Sequence, residues 1–421
     1  MGESVFKNKN YVLMFLGLVV SNLGTQIYNF AIMLYIYDLL DGYEFNAAIA
    51  GAYMATGGIV FFVLTPFAGA ITDRLNKVRV VYLTDIINGI AVILAGFAIF
   101  YFDDVIGKLV ILFITSIILS GNGALFNPAV SSLPAHILKK EQLQQASSLT
   151  MGMYSLYAII GAFIGTFFYT NFIIEFIFIF NGLSFIISGI SEMFISIKTK
   201  DDETHMINFK QIVFDIKEGL KYLYNLKPIF YLLTMATVLN FFTVPVIVNG
   251  LPYLIYVELE ANPVYLAILQ GAFPVGVIIM SIVLMMKPQR EKQSGLIIRG
   301  MIGMATMFLI FIVGLELFMR GFYSFNIFIY ITVPLMIIMG LFNAELNIPF
   351  DVSLKKQVDK EMMGRVFSVT SVISNGLSPI AIALAGLVIS FFGVMVLFYA
   401  GAIAMILTAI YTAKNKYIAQ L

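Results

Sequence analysis

Glu345 is the residue in this sequence best placed to move a proton. Ten residues, about 15 Å at helical rise, separate it from Lys355, which puts it deep inside an apolar run spanning 325–350. A carboxyl at that depth can bind and release a proton, the chemistry of a coupling site. The alternative is a glutamic acid kept protonated and hydrogen-bonded to a neighbouring helix. Asp351, near the end of the same run, is a second candidate. Three further acids have simpler readings. Asp85 and Glu192 stand six residues from Arg79 and Lys198, about 9 Å, and so reach the membrane interface as structural groups. Glu316 precedes Arg320 by four residues, an ion pair on one helix face.

The uncharged polar residues outline a pathway. Asn22, Thr25, Gln26 and Asn29 recur at i, i+3, i+4 and i+7, one face of a helix. Asn343 and Asn347 share a face further on, as do Asn240 with Thr243, and Ser371, Asn375 and Ser378. Tyr154, Gln270 and the many phenylalanines add aromatic and hydrogen-bonding contacts. Such a lining suits a bulky, largely apolar solute, against the alternative of hydrogen bonds between helices. Other chemistries are excluded by what is missing. There is no cysteine, and the two histidines, His136 and His205, both fall in expected loops, so no thiol chemistry and no histidine pair for a metal arises. No nucleophile–base set is visible, so an enzyme is not expected. No Gly-rich loop with lysine cradles a nucleotide, and no base is expected within a span, as a phosphate solute would need.

Apolar residues make up 60% of the 421 positions and charged residues 12%, which places the chain among helical membrane proteins of many spans. Twelve segments of spanning length are expected: 11–38, 46–72, 80–102, 108–130, 143–170, 172–197, 228–256, 263–286, 296–319, 325–350, 366–391 and 393–413. The first is too long for a cleaved leader. With both termini in the cytoplasm, 23 of the 25 Lys and Arg lie on cytoplasmic segments, leaving Lys108 and Arg320 outside. One missed span would invert every later loop, so the asymmetry also supports the count. Between spans six and seven, Lys198–His205 reads as a solvated linker. Phe209, Ile212, Ile216, Leu220 and Leu223 then mark an amphipathic helix lying on the inner membrane surface. The chain thus divides into a six-helix bundle at 1–200, a linker at 201–227 and a second six-helix bundle at 228–421. A weak repeat agrees: Pro128 with Glu141, and Pro349 with Glu361, match at offsets of 221 and 220 residues. Parallel six-span halves are a transporter architecture.

The loop between the second and third spans reads Gly69-x-x-x-Asp73-Arg74-x-x-Lys77-x-Arg79. With the six-plus-six layout, this resembles the signature loop of the major facilitator superfamily. Phe126-Asn-Pro-Ala129, Asp215-Ile-Lys-Glu-Gly-Leu220 and Met363-Gly-Arg-Val-Phe-Ser368 are similar to its macrolide-efflux-like branch of drug exporters. The resemblance implies that Asp73 latches one side shut against the start of span eleven, where Gly364 and Arg365 stand and a helix N-terminus favours a carboxylate. It implies that spans one, four, seven and ten line the cavity. Gly152, Gly161 and Gly165 match the spacing of the exporters' segment-five glycine motif, although Thr166 replaces its proline, and ordinary helix packing is the alternative. Leu119 stands where many of these exporters carry a basic residue, which weakens the implied proton coupling. The resulting expectation is a secondary transporter in the cell membrane, exporting an amphipathic small molecule or drug by alternating access in exchange for protons. It is expected to meet membrane lipid, to work as a monomer without cofactor, metal or nucleic acid, and to have a lipid or lysolipid carrier, an uptake symporter and a non-transporting sensor as the alternatives.

Overall fold

The computed structural model describes residues 4–72, 75–196, 209–286, 292–358, 366, 369–370, 373–374 and 376–420. Among these every regular element is a helix, the structure in which a chain crossing hydrocarbon satisfies each backbone N–H and C=O within its own segment. In order they are α1 Lys9–Leu39, α2 Asn46–Thr72, α3 Lys77–Tyr101, α4 Val105–Ile137, α5 Lys140–Asn171, α6 Ile174–Met193, α7 Phe209–Asn225, α8 Lys227–Pro245, α9 Pro263–Met286, α10 Ser294–Met319, α11 Phe325–Gln357, α12 Ser378–Phe392 and α13 Val394–Lys414. Ten stretches are long and apolar enough to cross a membrane, and the shorter apolar helices 156–171 and 378–392 bring the described set into line with twelve segments. Asparagine and aspartate start several helices. Asn8, Asn76 and Asp104 accept from the backbone N–H of Tyr11, Arg79 and Gly107, satisfying donors that have no partner within the helix.

Two segments depart from the continuous spans expected. Segment seven is regular only to Pro245; two wider, π-type turns follow at Val246–Gly250 and Tyr253–Glu258. Pro245 and Pro252 each lack the N–H that the i→i−4 ladder needs, so the register loosens there. Segment eleven turns at Gly376–Leu377, and α12 restarts with Pro379 in its first turn, a position that tolerates the missing donor. Lys77 and Arg79, expected in a loop, occupy the first turn of α3, and His136, also expected in a loop, lies in the last turn of α4. The linker stretch Lys198–His205 falls outside the described residues.

The chain forms two compact units, 1–46 with 52–207, and 47–51 with 208–421; α7 falls with the second. In the first, α1 packs on α5 and α6, and α3 on α4 and α6. In the second, α8 packs on α12 and α13, and α10 on α11 and α13, so each of these four pairings recurs six spans later. Glycine makes the tightest of them. A Cβ on Gly89 would lie 2.7 Å from Gly182 O, and one on Gly182 2.8 Å from Gly89 O, so α3 and α6 touch backbone to backbone. Gly96 against Phe178 and Gly189 against Tyr82 extend that contact in antiparallel register. Gly393, at φ 81° and ψ 161°, makes the turn between α12 and α13 that only glycine adopts without strain.

Candidate functional site

On α1 the polar stripe is only partly open. Asn22, Thr25 and Gln26 are half-buried and Asn29 is exposed. Asn22 Nδ2 donates to Leu18 O and Thr25 Oγ1 to Ser21 O, both at 2.7 Å, so these groups bond back to their own helix. Gln26 lies against α5: a Cβ on Gly161 would come 2.5 Å from Gln26 Cβ, and one on Gly165 3.0 Å from Ile27 O. These two glycines therefore bring α5 close to α1, the small-residue packing that was the alternative to their motif role. Gly152 lies on the same helix, and Tyr154 is exposed, edge-on to Tyr157 with ring centres 6.1 Å apart.

A second face of α1 meets an unexpected cluster. Asp85 on α3 and Glu192 on α6 do not reach out to the interface. They are 2% and 0% exposed, turned inward with Ser188 and Asn181, themselves 0% exposed. Gly17 and Gly24 make room for it on α1: a Cβ on Gly17 would sit 2.9 Å from Ser188 Oγ and 3.2 Å from Glu192 Oε1. Asn88, one turn along α3 from Asp85, accepts from Asn122 Nδ2 on α4 at 2.7 Å. Sequence spacing carried a signal for this, because Asn181, Ser184, Ser188 and Glu192 recur at three and four residues on α6.

In the second unit Glu345 is 3% exposed, as its depth suggested, but it is paired. Arg299 Nε donates to Glu345 Oε2 at 2.9 Å, and Arg299 Nη2 closes a second bond to Oε1, a two-pronged ion pair between α10 and α11. Arg299 had been counted with the loop bases; it sits inside the second turn of α10, so a base does lie within a spanning segment. Asn343 Nδ2 approaches Met304 Sδ at 3.9 Å, and the exposed Asn347 donates to Asn343 O at 3.0 Å. Asp351 is exposed within the last two turns of α11. Asn240 Nδ2 donates to Ser374 O at 2.9 Å, while Thr243 and Gln270 are half-buried. Glu316 and Arg320 pair at 3.2 Å, the i,i+4 contact expected.

Of the loop between α2 and α3, Gly69 ends within α2, Lys77 Nζ stands 3.1 Å from His136 Nε2, and Arg79 is exposed. Asp73, Arg74, Gly364, Arg365 and Asn375 lie outside the described residues. Residues 14–383 match the family profile of the Major Facilitator Superfamily. The chain belongs to that superfamily. It is thus a membrane transporter rather than an enzyme, a member of a family that moves small solutes. Macrolide efflux protein A of Streptococcus pyogenes is 24% identical over 378 residues, covering 88% of this chain and 87% of that protein. The uncharacterized MFS-type transporter YkuC of Bacillus subtilis is 29% identical over 187 residues; that match spans 44% of this chain and 41% of YkuC, less than half of the relative's length. Among solved structures, a bacterial homologue of the iron transporter ferroportin in its inward-facing state aligns at a TM-score of 0.76 and 14% identity, over 98% of this chain and 99% of that one. The fold is therefore all-helical and that of the superfamily, and the ten long apolar helices with two shorter ones among the described residues fit a count of twelve.

Proposed function

We propose that this superfamily member exports an amphipathic small molecule across the bacterial cell membrane by alternating access, with inward proton flow as the driving force. The observation that carries the reading is the near end-to-end match to macrolide efflux protein A. The composition of the polar stripes agrees with it: amides, hydroxyls and aromatics set in apolar walls hold a bulky solute without demanding a charge. The Asp73 loop with Gly364 and Arg365 is the proposed latch. Glu345 and Asp351 are the proposed proton carriers, and in this scheme a proton arriving on Glu345 frees Arg299 from its pair. In this reading both termini lie in the cytoplasm, in keeping with the asymmetry of Lys and Arg along the chain.

Reconstituted vesicles test it. A panel of macrolides and other amphipathic compounds should show transport in wild type that depends on a pH step across the membrane. Glu345→Gln should keep binding and lose that dependence; equal gradient-driven export by the variant removes Glu345 from the mechanism. A lipid or lysolipid carrier is the second reading. A groove of about 580 Å3 between α10 and α13, walled by Leu309, Ile312, Val313, Ile403 and Ile406 with Glu316 and Arg320 at its edge, favours it.

A further inference from the structure

We propose that Asp85, Ser188 and Glu192 form a binding site for one hard metal cation, held by oxygen ligands inside the first unit. Ser188 lies beside both carboxyls, so the two acids gather around one hydroxyl. Yet Asp85 Oδ2, Ser188 Oγ and both carboxyl oxygens of Glu192 end fully buried without an aligned hydrogen-bond partner. Neither acid meets a lysine, arginine or histidine among the described residues. The other buried polar groups on the three helices are uncharged: Tyr11 and Ser21 on α1, Thr84 and Asn88 on α3, Asn181 and Ser184 on α6. Buried charges persist in proteins when they are paired or bind a metal, and none of the described residues supplies a cation here.

Geometry gathers the ligands. Ser188 Oγ and Glu192 Oε1 both lie about 3 Å from the point a Cβ on Gly17 would occupy, so the two oxygens are within about 6 Å of each other around a spot that glycine leaves open. Met14 on α1, Val81 on α3 and Ile195 just past the end of α6 join an apolar cluster that covers this end of the unit. The donors are all oxygen, from carboxylate and hydroxyl. That set selects sodium, calcium or magnesium over zinc or copper, which take nitrogen and sulfur. Two carboxylates match the charge of a divalent ion, and the ion would tie α3 to α6 across their glycine contact. This inference stands apart from the export reading, since it concerns what the resting protein binds.

The test uses full-length protein in lipid nanodiscs, stripped with chelator, and needs no transport assay. Unfolding temperature is followed against sodium, calcium or magnesium chloride, with choline chloride at equal ionic strength and fixed pH as the reference. One of the three ions should raise the midpoint saturably, by about 5 °C at a hundredfold excess over its Kd. Asp85→Asn and Glu192→Gln should each abolish the rise. Gly17→Ala and Ser188→Ala, milder changes that keep both acids, should weaken the ion's affinity about tenfold and serve if a carboxyl variant does not fold. No rise beyond choline with any ion overturns the proposal and leaves the pair closed by a proton. A full rise retained in Gly17→Ala, Ser188→Ala and a folded carboxyl variant overturns it too, placing the ion elsewhere.

Discussion

Arg299 and Glu345 differ in what they lose if separated. The carboxylate is 3% exposed, whereas the Arg299 side chain is 56% exposed and can hydrate when its partner goes. Arg299→Ala therefore strands a buried charge and should cost about 1–3 kcal/mol, below the full penalty of a wholly buried pair. Glu345→Gln strands only a half-solvated guanidinium and should cost under about 1 kcal/mol. Thermal unfolding of the two purified variants checks the order; a larger loss for Glu345→Gln contradicts it. For the proposed latch, Asp73→Asn should slow export severalfold in vesicles while leaving the unfolding midpoint within a degree of wild type. Unchanged transport removes the latch. At this scale the sequence located Glu345 by its depth but not Arg299 as its partner. Ionic partners 46 residues apart carry no spacing signature, and Arg299, three residues into the expected span 296–319, groups with the cytoplasmic bases by its charge.

Helix contacts are set by a few glycines, and these make distinct predictions. Gly182→Ala places a methyl 2.8 Å from the Gly89 carbonyl, a backbone atom that cannot swing aside. Overpacking of this kind costs about 1–3 kcal/mol. On α4, Gly123 has Phe61 as its nearest neighbour at 4.0 Å, so Gly123→Ala should be neutral or gain up to about 1 kcal/mol of helix propensity. Unfolding midpoints that fall for Gly182→Ala and not for Gly123→Ala establish the α3–α6 seam as one that admits no added methyl. Gly393→Ala forces an alanine into a region reserved for glycine and should cost about 1–3 kcal/mol by the same measurement. Segment limits such as 46–72 and 263–286 were legible because hydropathy changes sharply at both ends. The breaks after Pro245 and before Ser378 were signalled by Pro245, Pro252, Gly376 and Pro379, but a hydropathy window averages such residues away.

For the whole molecule, the lopsided distribution of bases makes an orientation testable on a chain that has no cysteine of its own. Tyr43 and Phe322 are exposed in turns on the expected outer side, Leu75 and Lys416 on the expected inner side. Single cysteines at the first two should react with an impermeant maleimide in intact cells, and at the other two only after the membrane is opened; the reverse pattern inverts the topology. The sequence by itself determined class, most of the apolar helices and the family, because hydrophobic runs and short motifs are local along the chain. Only the tertiary structure decided that Asp85 and Glu192 turn inward onto Ser188, that Arg299 holds Glu345, and that Gly161 and Gly165 seat α5 on α1. Each of those depends on which face of a helix meets which neighbour. In a membrane nearly every face is apolar, so the contrast between buried and exposed positions that reveals orientation in a water-soluble helix is faint.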